Sequence, residues 1–156
     1  MTQETVDTNW MDRAIEQAEK AREKGDVPIG AVIVQDGKVI AATGNEVEYL
    51  NDPTAHAELI AIRWATTLIA SPRLVDCDLY VTLEPCPMCA QAIAFARIRR
   101  LYFGAYDPKG GGVDHGPRIF EQTTCNHKPE VYGGIKEKEC TELLKNFFAD
   151  KRSIGK

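Results

Sequence analysis

The chain has 156 residues, of which 44% are hydrophobic and 27% are charged, and it carries a formal net charge of −4. These proportions are typical of a globular domain, and they exclude disordered and fibrous chains. No apolar stretch approaches the roughly 20 residues of a membrane span, so no membrane partner is expected. The acidic balance argues against a protein that coats nucleic acid through a general positive field. We expect one domain over residues 1–156, with its core at about 9–152.

The cellular compartment is predicted from the N-terminus and the cysteines. Residues 1–12 contain three acidic side chains and no apolar core, which is unlike a signal peptide. The chain has five cysteines, an odd number, which argues against a disulfide framework. We therefore expect a cytoplasmic protein with reduced thiols.

Periodicity and breaker residues predict four helices and five strands. In chain order these are a helix over 10–21, strands over 29–34 and 39–43, a helix over 54–68, a strand over 78–82, a helix from about 85 to 96, strands over 100–103 and 130–132, and a helix over 137–149. Residues 44–53 are predicted as a polar loop. Residues 104–116 contain five glycines and form a second loop, long enough to indicate a function of its own.

Several residues set the predicted boundaries. Gly25 is a stop signal after the first helix, and Asp52 or Thr54 would cap the second. Pro85 stands where a first helical turn tolerates proline. The last helix has four large apolar residues at core spacing, which are Leu143, Leu144, Phe147 and Phe148.

The order of the elements predicts the fold class. Helices and strands alternate as α-β-β-α-β-α-β-β-α, which favours an α/β fold with three layers, α/β/α, around a five-stranded mixed sheet. Because a helix separates the third and fourth strands, these two should pair in parallel.

Two short segments, His56-Ala57-Glu58 and Pro85-Cys86-Pro87-Met88-Cys89, carry the chemistry of a metal site. On the first turn of a helix, two cysteines three residues apart face the same side. Both sulfurs can then bind one zinc ion, which is the usual arrangement of such a pair. Helix N-termini also favour the thiolate form. The histidine falls in the first turn of the preceding helix, so both helix starts can point at one ion. Three protein ligands would leave one tetrahedral position for water, as in catalytic zinc sites.

Glu58 lies two residues after His56, where its carboxylate can reach a water at that site. Water on zinc ionises near neutral pH. The carboxylate would accept this proton and deliver it to the leaving side of the substrate. The attacked centre must be an electrophilic carbon that accepts hydroxide and then expels a protonated group.

Other interpretations of these residues stay open at this point. A C-x-x-C motif at a helix start is also the thioredoxin arrangement, although redox chemistry does not require His-x-Glu. A structural zinc would need a fourth protein ligand, for which His115, His127 and Cys125 are available. Cys77 and Cys140 fit buried hydrophobic positions, and Cys125 and His127 fit a packing or loop role.

The combination of His-x-Glu with Pro-Cys-x-x-Cys is the signature of zinc nucleobase deaminases. Over about residues 11–152 the chain resembles the bacterial tRNA-specific adenosine deaminases, within the zinc-dependent cytidine/deoxycytidylate deaminase superfamily. The resemblance is carried by residues 25–32, 52–58, 79–86 and 103–109. It implies a cytidine deaminase-like fold and a hydrolase acting on cyclic amidine C–N bonds.

The activity implied by the resemblance is hydrolysis of adenosine to inosine at the first (wobble) anticodon position of a tRNA, with release of ammonia. One Zn²⁺ per subunit would be bound by His56, Cys86 and Cys89, and Glu58 would shuttle protons. Carbon 6 of adenine is a poor electrophile until nitrogen 1 is protonated, a proton that a neighbouring carboxylic acid can supply.

The resemblance also assigns the residues around the flipped base. Asn45 would hydrogen-bond the base, and Val27 and Leu83 would line its pocket. The backbone at Ala55 and Pro85 would help to hold the reacting water and amino group. An asparagine is a suitable reader of a purine edge because its amide both donates and accepts hydrogen bonds.

Contacts to the rest of the tRNA anticodon loop are assigned to two places. Asp107 would meet neighbouring nucleotides, and Phe147 with Lys151 and Arg152 at the basic end of the last helix would flank the loop. The resemblance further implies a homodimer with the tRNA site shared across the interface.

The chain departs from the family pattern in the acidic residues Glu46 and Glu48 and in the loop Gly110–Gly116. Two carboxylates near a phosphate path should weaken RNA binding unless they point away from it. Two alternatives to the tRNA activity are a deaminase of free bases such as guanine or cytosine, and a catalytically silent zinc domain that binds RNA. The presence of Glu58 argues against the silent domain.

Overall fold

The computed structural model describes residues 9–154, with the side chains of residues 9–152. It contains five α-helices and five strands in that range. In chain order they are α1 Asn9–Glu23, β1 Gly30–Gln35, β2 Lys38–Gly44, α2 Val47–Leu50, α3 Ala57–Ile69, β3 Cys77–Leu83, α4 Pro87–Ala96, β4 Arg100–Ala105, β5 Glu130–Tyr132 and α5 Glu137–Ile154. A single 3₁₀ turn covers Ile119–Glu121. Within the described range, no helix has the length and apolar character needed to cross a membrane.

The five strands form one mixed sheet in the order β2-β1-β3-β4-β5. Strand β1 is antiparallel to both of its neighbours, β2 and β3, whereas β3 and β4 are parallel and β5 is parallel to β4. The predicted parallel pairing of the third and fourth strands is therefore confirmed. Because β2, β3 and β4 run in the same direction, the residues that follow these three strands meet at one edge of the sheet.

Each face of the sheet is covered by helices, which confirms the predicted three-layer α/β fold. On one face, small side chains of α3 and α4, among them Ala61 and Ala90, let these helices approach the sheet closely. On the other face, α1 and α5 contribute Met11 and Cys140 to a second cluster with Val32 and stacked tyrosines of the sheet. The buried positions of Cys77 and Cys140 agree with their predicted role as hydrophobic residues.

Helix boundaries near the site differ from the prediction. Helix α3 begins at Ala57 rather than near residue 54, because the Asp52 carboxylate accepts hydrogen bonds from the backbone N–H and the hydroxyl of Thr54 at 2.8 and 2.7 Å. That local turn holds residues 52–54 outside the helix. The first residue of α4 is Pro87 and not Pro85. The predicted loop 44–53 contains α2.

The last helix extends to Ile154, beyond its predicted end. Its two adjacent phenylalanines have different environments, since Phe147 is 6% exposed and Phe148 is 46% exposed. Neighbouring residues on a helix point about 100° apart, so one of the two can be buried while the other is exposed. The prediction that Phe148 belongs to the core was wrong.

Candidate active site

The starts of two helices bring three possible metal ligands together. His56 is the residue immediately before α3, Cys86 is the residue immediately before α4, and Cys89 lies in the first turn of α4. Their ligand atoms all lie within 4.8 Å of one another. The His56 Nδ1 atom is 3.5 Å from Cys86 Sγ and 3.5 Å from Cys89 Sγ. This is the juxtaposition expected from the motif spacing.

The donor geometry fits a tetrahedral zinc ion. With bond lengths of about 2.3 Å to sulfur and 2.0–2.1 Å to nitrogen, tetrahedral angles place nitrogen and sulfur roughly 3.5 Å apart. Two thiolates and an imidazole are also donors that zinc favours. The residues considered for a fourth ligand have other partners: His115 contacts Glu84, the Cys125 thiol donates to the His127 carbonyl, and the His127 ring lies 2.7 Å from the Ile98 carbonyl.

The two sulfurs have different proton affinities. The pKa of Cys86 is lowered to about 4, chiefly because the Cys89 thiol donates a hydrogen bond to it and also because of His56. The pKa of Cys89 is raised by that same hydrogen bond and by burial. The His56 pKa is raised through its hydrogen bond with Cys86. The thiolate form is therefore favoured at Cys86 and the thiol form at Cys89.

Glu58 lies in the first turn of α3, with only 4% of its surface exposed. Burial raises the pKa of its carboxyl to about 7, and the side chain interacts with Cys89. A carboxyl that titrates near neutral pH can both accept and release a proton during a reaction. The site therefore combines a cluster of three possible metal ligands with a buried carboxyl that can exchange protons near neutral pH.

Asn45 follows the end of β2 and is held close to the start of α3. Its side-chain oxygen accepts a hydrogen bond from the Ala57 backbone N–H at 3.1 Å, and its Nδ2 lies 3.4 Å from a carboxylate oxygen of Asp26. These two partners set the orientation of the amide. Since Ala57 is adjacent to His56, the predicted base-reading residue is placed beside the metal ligands.

Asp26 is a buried carboxylate that sequence reasoning missed. Besides Asn45 it accepts hydrogen bonds from the backbone N–H groups of Glu48 at 2.9 Å and Tyr49 at 3.4 Å, near the start of α2. It thereby ties the loop before β1 to α2 and to the Asn45 amide. In the sequence, Asp26 directly follows the helix stop Gly25. An exposed acidic residue at this position would give the same sequence pattern, so the sequence does not reveal that Asp26 is buried.

Glu84 is a second buried carboxylate that sequence reasoning missed. It follows β3 and accepts hydrogen bonds from the Asp107 backbone N–H at 3.1 Å and from consecutive N–H groups of residues 113, 114 and 115 at 3.2, 3.0 and 3.1 Å. The His115 ring lies 2.8 Å from the same carboxylate. Burial alone would raise the pKa of Glu84, but these hydrogen bonds lower it below the usual range.

The remaining residues predicted around the base differ in their burial and in the elements that they contact. Ala55 and Pro85 are buried, and their carbonyl oxygens accept hydrogen bonds from Glu46 N at 3.0 Å and Gly112 N at 2.8 Å. Val27 is half-buried between α1 and β1. Leu83 packs against the cluster on the α1 and α5 face.

The residues predicted to contact the surrounding RNA lie on a loop and at the end of α5. The Asp107 carboxylate accepts hydrogen bonds from the N–H groups of Lys109 and Gly110, so it stabilises the turn that follows it. Phe147 is buried, and the Lys151 ammonium lies 5.2 Å from the centre of its ring, a cation–π contact. Arg152 is exposed beside it.

An ion pair between Asp150 and Arg22 places the last turns of α5 beside the end of α1. Helix α1 is followed directly by the segment that contains Asp26. The basic end of α5 and the base-reading side of the site are therefore on neighbouring parts of the molecule.

Comparisons with known proteins agree with this geometry. The model of the MafB19-like deaminase family matches residues 6–152. The chain is 57% identical over 145 residues to the tRNA-specific adenosine deaminase of Agrobacterium fabrum, covering 93% of this chain and 95% of that protein. A solved structure from a study of A-to-I editing by tRNA:A34 deaminases at the wobble position is 56% identical, with a TM-score of 0.87 over 88% of this chain and 100% of that chain. The guanine deaminase structure from Bacillus subtilis is 32% identical, with a TM-score of 0.64 and 95% of each chain covered.

Proposed function

The chain belongs to the family of tRNA-specific adenosine deaminases, and on that premise we propose that it hydrolyses adenosine at the first anticodon position of a tRNA to inosine. The observation that carries the proposal is the convergence of His56, Cys86 and Cys89 within 4.8 Å at two helix starts, with the buried carboxyl of Glu58 in contact with Cys89. In the overall reaction, water adds its oxygen to carbon 6 of adenine, the bond from carbon 6 to the amino nitrogen breaks, and ammonia leaves.

We propose that one zinc ion is held per chain by His56 Nδ1 and the two cysteine sulfurs. When bound, the ion would supply the Lewis acidity that makes a water nucleophilic at neutral pH. Glu58 would take one proton from water and deliver it to nitrogen 1 of the base, which makes carbon 6 electrophilic. It would then take the second proton, from the hydroxyl on carbon 6, and deliver it to the departing amino group. Because burial raises the pKa of this carboxyl to about 7, it can both accept and release a proton near neutral pH.

Asn45 would read the edge of the flipped base. Its oxygen already accepts from Ala57 and its nitrogen is oriented by Asp26, which leaves one lone pair and one N–H of the amide for the base. We place Val27, Leu83 and the backbone at Ala55 and Pro85 around it. An anticodon-loop base is already partly unstacked, so moving it into the pocket costs little free energy.

The remaining RNA contacts would come from Asp107 on one side and from the end of α5 on the other. Because Phe147 is buried beneath Lys151, it would support the lysine rather than stack on a nucleotide itself. Lys151 and Arg152 are exposed and would approach phosphates. We expect the enzyme to act in the cytoplasm, since all five of its cysteines are free thiols and a reducing compartment preserves them.

The test of this function uses a synthetic anticodon stem-loop with adenosine at the first anticodon position. Conversion to inosine replaces an amino group by an oxo group, so the product should gain about one dalton in mass spectrometry. The second candidate, deamination of a free base, is supported by the 32% identity to a guanine deaminase. Ammonia release from guanine or cytosine, with no change in the stem-loop, would select that alternative and contradict the proposal.

We propose that the chain forms a homodimer, as the family resemblance implies. Large apolar side chains on the layer formed by α3 and α4 are exposed, namely Trp64 at 55%, Leu68 at 66% and Phe95 at 71%. Large apolar side chains exposed on one helical layer favour a protein–protein contact there. A second copy of the chain is the partner that we assign to this layer.

Replacing Phe95 with glutamate is expected to dissociate the dimer, because it would bury a charge in an apolar contact. Sedimentation velocity should show twice the 17.3 kDa chain mass for the wild type and the single-chain mass for the variant. Leu50→Glu is the matched control, since Leu50 is 50% exposed and lies on α2 rather than on α3 or α4. A monomeric wild type would contradict the proposed dimer, and a Phe95→Glu variant that stays dimeric would exclude this layer from the contact.

A further inference from the structure

The carboxylate of Glu84 has no part in the chemistry described above, although its side chain is fully buried. Burying a charge costs free energy unless hydrogen bonds compensate for the lost water. Here four backbone N–H groups and one imidazole provide that compensation, and all five belong to the segment 107–115. The carboxylate is therefore an anchor that joins the end of β3 to this one loop.

The loop is packed against the carboxylate too closely for side chains at its glycines. A Cβ atom on Gly111 would lie 2.3 Å from Glu84 Oε2 and 2.6 Å from the Asp107 carbonyl oxygen. A Cβ atom on Gly112 would lie 2.6 Å from Pro87 N, and the Gly112 N–H donates to the Pro85 carbonyl at 2.8 Å. The glycines thus serve close packing over the start of α4.

Asp107 sits at the N-terminal end of the anchored segment. Its backbone N–H is held by Glu84, and its carboxylate accepts hydrogen bonds from the two N–H groups that follow. At the other end, the His115 ring contacts both Glu84 and, edge to face, the Tyr106 ring at a centroid distance of 6.2 Å. Both ends of the segment are therefore fixed to the same carboxylate.

We propose that Glu84 is a positioning residue for RNA binding, which holds Asp107 and the loop 107–115 in the shape that receives the nucleotide next to the target adenosine. This rests on the proposed function, in which Asp107 contacts the substrate. A loop that is ordered before binding avoids the entropy cost of ordering in the complex. Loss of the anchor should therefore weaken RNA binding while the metal cluster and Glu58 continue to support the chemical step.

The test replaces Glu84 with glutamine. The glutamine amide has only one oxygen. Either the donors that now bond Oε1 (the Asp107 N–H and the His115 ring) or those that bond Oε2 (the N–H groups of residues 113–115) would therefore face an NH₂ group instead of an acceptor. We expect KM for the anticodon stem-loop to rise about tenfold, the factor that corresponds to about 1.4 kcal/mol. The kcat should change by no more than about threefold, and zinc content should stay at one per chain. The backbone amides of residues 113–115 should exchange hydrogen faster than in the wild type, because they lose their acceptor.

Two further variants keep the test decisive if Glu84→Gln fails to fold. His115→Ala removes one of the five hydrogen bonds to Glu84 and should raise KM by a smaller factor, about threefold. Gly111→Ala should also raise KM, because the added Cβ atom would displace the Glu84 carboxylate. Asp76→Asn makes the same carboxylate-to-amide change at an exposed residue just before the other end of β3, and it should change nothing.

The possible outcomes separate this proposal from the function on which it rests. An active wild type whose Glu84 and His115 variants lose thermal stability but keep the wild-type KM would show a purely structural role and overturn the proposal. A fall in kcat with loss of zinc would also overturn it, because Glu84 would then support the metal cluster. A wild type that leaves the stem-loop unchanged would overturn the proposed function and this role together.

Discussion

Replacing Glu58 with alanine is expected to lower kcat for inosine formation by at least about 10³-fold, while zinc content stays at one per chain. The magnitude follows from the role of a general acid and base, which contributes about 10²–10⁴-fold on its own. Glu58 is the buried carboxyl in contact with Cys89, which is why the two proposed proton transfers are assigned to it. The measurement is the mass of the anticodon stem-loop after incubation, together with elemental analysis of the enzyme.

The isosteric variant Glu58→Gln distinguishes proton transfer from packing. Glutamine fills the same volume and keeps hydrogen-bonding capacity, but it cannot carry a proton, so we expect the same loss. Glu16→Gln is the control, because Glu16 is an exposed residue of α1. A Glu58→Gln variant that retains more than about a tenth of wild-type kcat would contradict the assigned role.

Replacing Cys89 with alanine is expected to abolish both zinc binding and activity. The proposed site has three protein ligands, and removing one of them would leave a two-ligand site that holds zinc far more weakly. We expect zinc content to fall from about one to below about 0.1 per chain after dialysis. Elemental analysis provides the stoichiometry, and the stem-loop assay provides the activity.

Cys125→Ser is the matched control for the metal site. Cys125 is a half-buried thiol whose sulfur donates a hydrogen bond to the His127 carbonyl, a contact that a serine hydroxyl can also make. Zinc content and activity should be unchanged. If the Cys89 variant kept its zinc, or if the Cys125 variant lost it, the metal would be bound by a different set of residues and the proposed mechanism would be wrong.

The fold class and the pairing of Cys86 with Cys89 could be predicted because both depend on short-range patterns. Alternation of helical and strand periodicity indicates a layered sheet with helices on its faces, and the spacing of Cys86 and Cys89 places two sulfurs on one side of a helical turn. The structure then brought His56 to within 3.5 Å of both sulfurs, as the motif required.

Helix starts and the orientation of the last helix were less predictable. Aspartate is a residue type that caps helix N-termini, yet Asp52 stabilises a separate turn before α3. Phe147 and Phe148 are indistinguishable as residue types, and only the tertiary packing of α5 decides which of them is buried.

Periodicity was sufficient to identify this chain's layered architecture, and the two short motifs nominated His56, Cys86 and Cys89 as metal ligands and Glu58 as the acid–base group, which the structure brings together. The roles of Asp26 and Glu84 could be recognised only in three dimensions. Asp26 is held by N–H groups 22 and 23 residues further along the chain, and Glu84 by N–H groups 23 to 31 residues further along. A carboxylate has the same chemistry on the surface and in the interior, so folding alone determines whether water or distant backbone donors surround it.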